Sequence, residues 1–165
     1  MIWSKLKKSI EALLADSVKE HLQLHLTRYG PGVSSLMNRA WVTWDGEEIS
    51  TFSTIQWLRA RNLLATEIAE EGEQRGVSDV LRRDKDPLEQ RGVYSRDDFY
   101  DAAVEYIGLS IEDALQSPNP VIRALSMFDR RLGKRRLLTM HFKEADFSLV
   151  RQWYQLRCKA EGLEE

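Results

Sequence analysis

The sequence predicts an α+β fold: a small antiparallel sheet of about three strands, packed with an N-terminal helix and a long second helix, then a helical C-terminal subregion. Three observations carry this. Apolar residues recur at spacings of three and four over the first fourteen positions and again beyond position 95. A period of two governs much of Val18 to Ser53, and Asp45-Gly46 divides its second half as a two-residue hairpin turn. With 165 residues the chain can bury one sizeable core, so a single domain over 1–165 is expected. Within it, an αβββα part covers about 1–71, a charged connection about 72–94 and a helical part about 95–162.

Trp3, Leu6, Ile10, Leu13 and Leu14 form the stripe of the first helix, with Lys5, Lys8 and Glu11 on its other side. Such a stripe suits an anionic membrane or a sheet, and docking on the sheet is the expectation. Val18, Leu22, Leu24 and Leu26 then alternate with Lys19, His21, Gln23, His25 and Thr27, which reads as a half-buried strand. Gly30-Pro31-Gly32 and Ser34-Ser35 interrupt it. Arg39 to Asp45 and Glu47 to Ser53 are the hairpin arms. An unbroken register pairs Trp44 with Glu47, Val42 with Ile49 and Trp41 with Ser50. Val42, Trp44 and Ile49 then share one face. Arg39, Trp41, Thr43 and Phe52 share the other, where two aromatics require a covering helix or a ligand.

Thr54 is placed to cap the long helix, whose stripe is Trp57, Ala60, Leu64 and Ile68, with Leu58 and Ala65 alongside. Glu67, Glu70, Glu71 and Glu73 crowd its end. From there to Gly92 charges surround Pro87 and apolar residues are sparse, so a mobile connection is expected. Ser95 with Asp98 resembles a capping box for a helix that buries Phe99, Ala102, Ala103, Tyr106 and Ile107 and stops at Gly108. Ser110 to Gln116 forms a short helix, and Asn119-Pro120 supplies a cap and first-turn proline for the next. Val121, Ala124, Leu125, Phe128 and Leu132 face inward on that helix; Arg123, Met127 and Arg130 share another side, and Gly133 closes it. A final helix, about Asp146 to Glu161, buries Val150, Trp153, Leu156 and Cys158.

Charge is segregated. Five of the seven residues in Arg130-Arg131-Leu132-Gly133-Lys134-Arg135-Arg136 are basic although the net formal charge is −2, which leaves −7 on the remainder. Such a cluster attracts phosphate or carboxylate whatever the net charge. The candidate binding residues are therefore Arg123, Arg130, Arg131, Lys134, Arg135 and Arg136, together with Trp41 and Phe52. Two plainer readings compete: cations in a last helical turn that complement the helix dipole, or an internal ion network with Glu67 to Glu73.

Catalytic and metal chemistry find less support. Asp97, Asp98, Asp101 and Glu105 are carboxylates at helical spacing, as a hydrolytic site needs, but first-turn acids also favour the helix dipole. His21 and His25 stand about 13 Å apart along a strand, too far for one zinc. His141 and Cys158 belong to no metal-ligand motif. No catalytic residue, metal or cofactor is therefore expected. The single cysteine fits a reducing compartment, and the cytoplasm is the expected location. Glu11 interrupts any signal-like apolar run, and no run of about 18 apolar residues suggests a membrane span.

Several stretches together resemble an uncharacterised family of small soluble bacterial proteins. They are Trp3-Ser4-Lys5, Thr27-Arg28-Tyr29, Arg39-Ala40-Trp41-Val42-Thr43 with Asp45-Gly46-Glu47, and Asn119-Pro120 through Asp129-Arg130-Arg131-Leu132-Gly133-Lys134-Arg135. The resemblance implies a soluble bacterial protein and brings no activity with it. The residues themselves favour a non-enzymatic binding protein, regulatory or toxin-immunity-like, with an acidic protein partner. The alternative is a nucleic acid held by the basic cluster 123–136 with Trp41 stacking a base. A hydrolytic enzyme using the carboxylates of 97–105 ranks third.

Overall fold

A computed structural model describes residues 1–27, 37–70 and 87–163. In order, the elements are α1 Trp3–Leu13, α2 Asp16–Lys19, β1 Leu22–Leu26, β2 Arg39–Trp44, β3 Glu47–Ser53 and α3 Thr54–Glu70. There follow α4 Pro87–Gln90, α5 Arg96–Tyr106, α6 Ile111–Gln116, α7 Pro120–Met127, α8 Lys134–Thr139 and α9 Ser148–Ala160. The fold is α+β with a helical C-terminal region. Among the described residues no helix is long and apolar enough to cross a membrane.

The strands form one antiparallel sheet in the order β1-β2-β3. Asp45 (φ 51°) and Gly46 (φ 84°) both take the left-handed conformation that a type I′ hairpin turn requires. Trp44 lies opposite Glu47, as the turn dictates. Beyond that pair the register departs from the unbroken hairpin: Thr43 faces Glu48, but Val42 faces Ser50 and Trp41 faces Thr51, leaving Ile49 as an extra residue in a bulge. One extra residue reverses the parity of everything after it. Phe52 therefore pairs with Ala40 and turns into the core at 0% exposure, while Trp41 stays on the outer face. The bulge is gripped from α9, where Gln152 Nε2 donates to the Ile49 carbonyl (3.1 Å) and Trp153 Nε1 to Ser50 Oγ (2.9 Å).

Val18 does not begin a strand. It is buried in α2, whose entry is fixed by the Ala15 N–H donating to the Phe128 carbonyl (2.9 Å), and the strand starts at Leu22. At the other end of the sheet, Ser53 rather than Thr54 caps α3, its Oγ accepting from the Gln56 N–H (3.4 Å).

The core lies between the inner sheet face and the helices. α1 docks through Leu6, Ile10 and Leu14, and Phe99 of α5 packs on Phe52 with ring centroids 4.7 Å apart. Trp44, Phe128 and Trp153 stack in series at 5.7 and 5.0 Å, joining the sheet to the end of α7 and to α9. α7 is apolar almost all round, so it sits in the centre against α5, α6 and α9. Met127 is consequently buried and does not share a surface with Arg123 and Arg130. Residues 71–86, which hold most of the expected charged connection, lie outside the described residues, as do Gly30 to Ser35. The remainder of that connection is built in: Leu88 of α4 is fully buried with Leu64, and Tyr94 joins the main core against Phe52.

Candidate functional site

The chain leaving α7 carries the most basic segment, and its first residue is acidic. Asp129 is 0% exposed. A buried carboxylate must be paired and hydrogen-bonded, and this one is: Tyr106 donates its hydroxyl to Oδ2 (2.5 Å), Arg131 donates from Nε (3.0 and 3.1 Å) and from its terminal nitrogen (2.7 Å), and the Arg131 backbone N–H adds a 2.8 Å bond. The other Arg131 terminal nitrogen reaches the Leu109 carbonyl (2.8 Å). Burial first, and then the hydrogen bond to Asp129, push the Tyr106 hydroxyl far above its ordinary value, so it stays a donor.

A second cation enters from α9. Arg157, 3% exposed, donates to the carbonyls of Met127 (3.2 Å), Asp129 (3.0 Å) and Leu132 (3.1 Å), and its Nε reaches Glu161 Oε1 (2.9 Å). Glu161 also accepts from Ser17 Oγ (2.5 Å) and pairs with Lys134 Nζ (3.1 Å). Burial pushes the Glu161 carboxyl up, but Ser17, Lys134 and Arg157 together outweigh it and hold the group below its ordinary range. Arg157 occupies an apolar-stripe position, four residues after Trp153 and seven after Val150. A charged residue there was the sequence signal for a buried network. Leu156 and Cys158, expected inside, are only partly buried.

This network places each basic residue. Gly133 starts a helix instead of ending one: it is the N-cap of α8, in extended conformation, so Lys134, Arg135 and Arg136 occupy the first turn. There the dipole disfavours Lys134 and Arg135, whereas Arg136 also falls in the last turn of this six-residue helix, where a cation suits the dipole. Carboxylates compensate: Arg131 pairs with Asp129 (2.7 Å), Lys134 with Glu161, and Arg136 with Glu112 (2.9 Å). The expected partners Glu67 to Glu73 have side chains outside the described residues. Arg130 and Arg135 are exposed and make no side-chain hydrogen bond or ion pair among the described residues. The nearest influence is on exposed Asp16, held below its ordinary value by Lys19 and, more weakly, by Arg130. Arg123 is half-buried on α7, with an unpartnered Nε. Leu138, three residues after Arg135 and on the same side of α8, is 61% exposed.

Trp41 and Phe52 do not join this surface. Phe52 is core. Trp41 lies on the outer sheet face, away from the core, and its ring is already engaged. His25 stacks on it (4.9 Å, 10°) and the Arg39 guanidinium lies over it at 4.3 Å, itself forked onto Glu48 by two 3.1 Å bonds. A base could stack there only by displacing one of them. The carboxylates of α5 do not converge either. Asp98 completes the capping box with Ser95 (2.6 and 3.1 Å), Asp97 pairs with Arg96 (2.7 Å), and Asp101 and Glu105 are exposed. His21 meets Asp45 (2.6 Å) and stacks on Trp44, and His25 meets Thr43 Oγ1 (3.0 Å).

Two hollows lie elsewhere. A cleft of about 740 Å³ opens between Ile2, Trp3, Leu26, Arg96 and Tyr100, where the Tyr100 hydroxyl donates to the Met1 carbonyl. A smaller one of about 370 Å³ lies between the chain after α8 and α9.

The fold and network together define a small α+β protein whose most basic segment is anchored on a buried polar hub and presents two arginines that are unpaired among the described residues. The family model described as the SF0329 protein family matches residues 2–158, and the chain belongs to that family. Comparison with curated proteins and with solved structures gives no match.

Proposed function

We propose that this chain is a non-enzymatic binding protein of the bacterial cytoplasm, regulatory or toxin-immunity-like, that takes an acidic protein partner on the exposed side of α8 and the turn before it. The observation that carries this reading is selective pairing. Among the described residues Arg131, Lys134 and Arg136 each meet a carboxylate, while Arg130 and Arg135 meet none and Arg135 stands beside the exposed Leu138. An unpaired arginine next to an exposed apolar side chain suits an interface in which carboxylates steer and apolar contact holds. A nucleic-acid reading draws on the whole cluster, yet three of its cations are already neutralised, and the Trp41 ring is already engaged on the outer sheet face.

The test is native co-purification with wild-type protein beside an Arg130→Glu/Arg135→Glu variant, with folding checked by circular dichroism. Selective loss of a stoichiometric acidic protein from the variant is expected. Identical partners on both baits, or salt-sensitive retention of a single-stranded oligonucleotide in place of a protein, would overturn the reading. Arg131 is left intact because reversing it would unfold the hub and imitate loss of binding.

A further inference from the structure

The hollow beside α9 is lined by Met140, His141, Phe142, Arg151, Tyr154 and Gln155. Arg151 is the anomaly among them. It is half-buried, and among the described residues its solvent-shielded Nε has no hydrogen-bond partner and its guanidinium meets no carboxylate. It is also the fourth residue of α9, where the helix dipole disfavours a cation. Neither pairing nor dipole rewards a charge at this position, and a desolvated donor left unmet is costly. An anion entering the hollow would satisfy it.

The walls restrict which anion. One guanidinium is the only obligate cation of the lining, whereas phosphate sites commonly gather several cationic donors. Phe142 and Tyr154 pack with centroids 4.8 Å apart and, with Met140, form an apolar wall. The Tyr154 hydroxyl is turned away, donating to the Leu137 carbonyl (2.8 Å), so this ring offers its apolar body to the hollow and not its donor. Gln155 and His141 are exposed at the rim and supply polar groups there. We propose that this hollow binds a small organic monocarboxylate with an aromatic or branched aliphatic body, the carboxylate forked on Arg151 and the body against Phe142, Tyr154 and Met140. The site is independent of the exposed side of α8.

Titration of the full ¹⁵N-labelled chain with sodium benzoate, followed by amide chemical shifts, tests it. Saturable shifts confined to residues 140–142 and 151–155 are expected. Benzamide, the uncharged analogue, should bind about tenfold or more weaker, since a charge-assisted fork is roughly twice as strong as a neutral bond. Arg151→Gln should abolish saturation, and the benzamide comparison needs no variant if that protein fails to fold. Absence of saturable shifts, equal binding of benzamide, unchanged binding by Arg151→Gln, or inorganic phosphate binding as tightly as benzoate would each overturn the proposal.

Discussion

Arg131→Ala is the substitution that separates architecture from recognition within the basic run. It leaves Asp129 completely enclosed with its charge but without its fork, retaining only the Tyr106 hydroxyl and one backbone N–H. Removing one partner of a buried ion pair costs about 3–5 kcal/mol. Because the Arg131 side chain is 32% exposed, water can enter the vacated side, and the lower end, about 3 kcal/mol, applies here. For a chain of this length that corresponds to a fall in Tm of about 6–12 °C. Urea unfolding followed by tryptophan fluorescence reads it directly, since Trp44 and Trp153 stack on Phe128 beside the hub, and an unchanged slope would mark a pure stability change. Asp129→Asn removes the charge that makes the vacancy costly. In the Arg131→Ala/Asp129→Asn double variant the two losses should therefore fall short of additivity by about 1–3 kcal/mol. An Arg131→Ala protein within about 0.5 kcal/mol of wild type, or strict additivity, would refute the claim that the fork holds the turn.

Two further outcomes follow from the register and from the titrating groups. Phe52→Ala should cost about 3–5 kcal/mol as a core truncation, and Trp41→Ala only about 1–2 kcal/mol from lost stacking and cation–π contact; equal losses would place the bulge elsewhere. Burial, helped by Lys7, holds His25 below its ordinary 6.5, so the unfolded chain binds its proton more readily and stability present above that value is lost as pH falls through it. Glu161, held below its ordinary 4.5, adds a second loss as pH falls further. Urea midpoints against pH should show both limbs, His25→Asn abolishing the upper and Glu161→Gln reducing the lower, to which Asp16 also contributes; persistence of the upper limb in His25→Asn would assign it to another group.

Where a residue type has one physical use in its context, the sequence was readable. Asp45-Gly46 demanded a tight turn, Ser95 with Asp98 a capping box, and Asn119-Pro120 a helix start, and each forms. Gly133 has two uses, since glycine serves either end of a helix, and only tertiary pairing of Lys134 with Glu161 and Arg136 with Glu112 selects the start. β3 is mostly polar, so alternation could not fix its faces. Its two large apolar residues, Ile49 and Phe52, stand three apart, and both reach the core only through a bulge. The basic run was legible in the sequence, and the sorting of its cations into those paired and those unpaired among the described residues was not. Asp129 is a near neighbour of Arg131 in sequence, but Glu112 and Glu161 reach Arg136 and Lys134 from parts of the chain that only the folded state brings together.

The hub also explains why so much charge can sit beside the core. The last carbonyls of a helix have no partner of their own, and α7 ends inside the protein where water cannot supply one. Arg157 provides it for Met127 from a neighbouring helix, covers Asp129 and Leu132 in the turn beyond with the same planar fork, and places positive charge at the negative end of α7. The turn beyond is held to the N-terminal helices as well, with the Arg130 N–H donating to the Leu13 carbonyl (2.8 Å) and Ser17 reaching Glu161. Arg130 and Arg135 therefore project from a backbone already immobilised on both sides. A partner that engages them pays for ordering two side chains and not a loop, a smaller cost than binding to a flexible basic tail. Stability thus rests on Asp129, Arg131 and Arg157, and under the proposed function recognition rests on Arg130 and Arg135. Variants of the two sets should differ in kind: the first lower Tm, and the second leave Tm unchanged while partner binding falls.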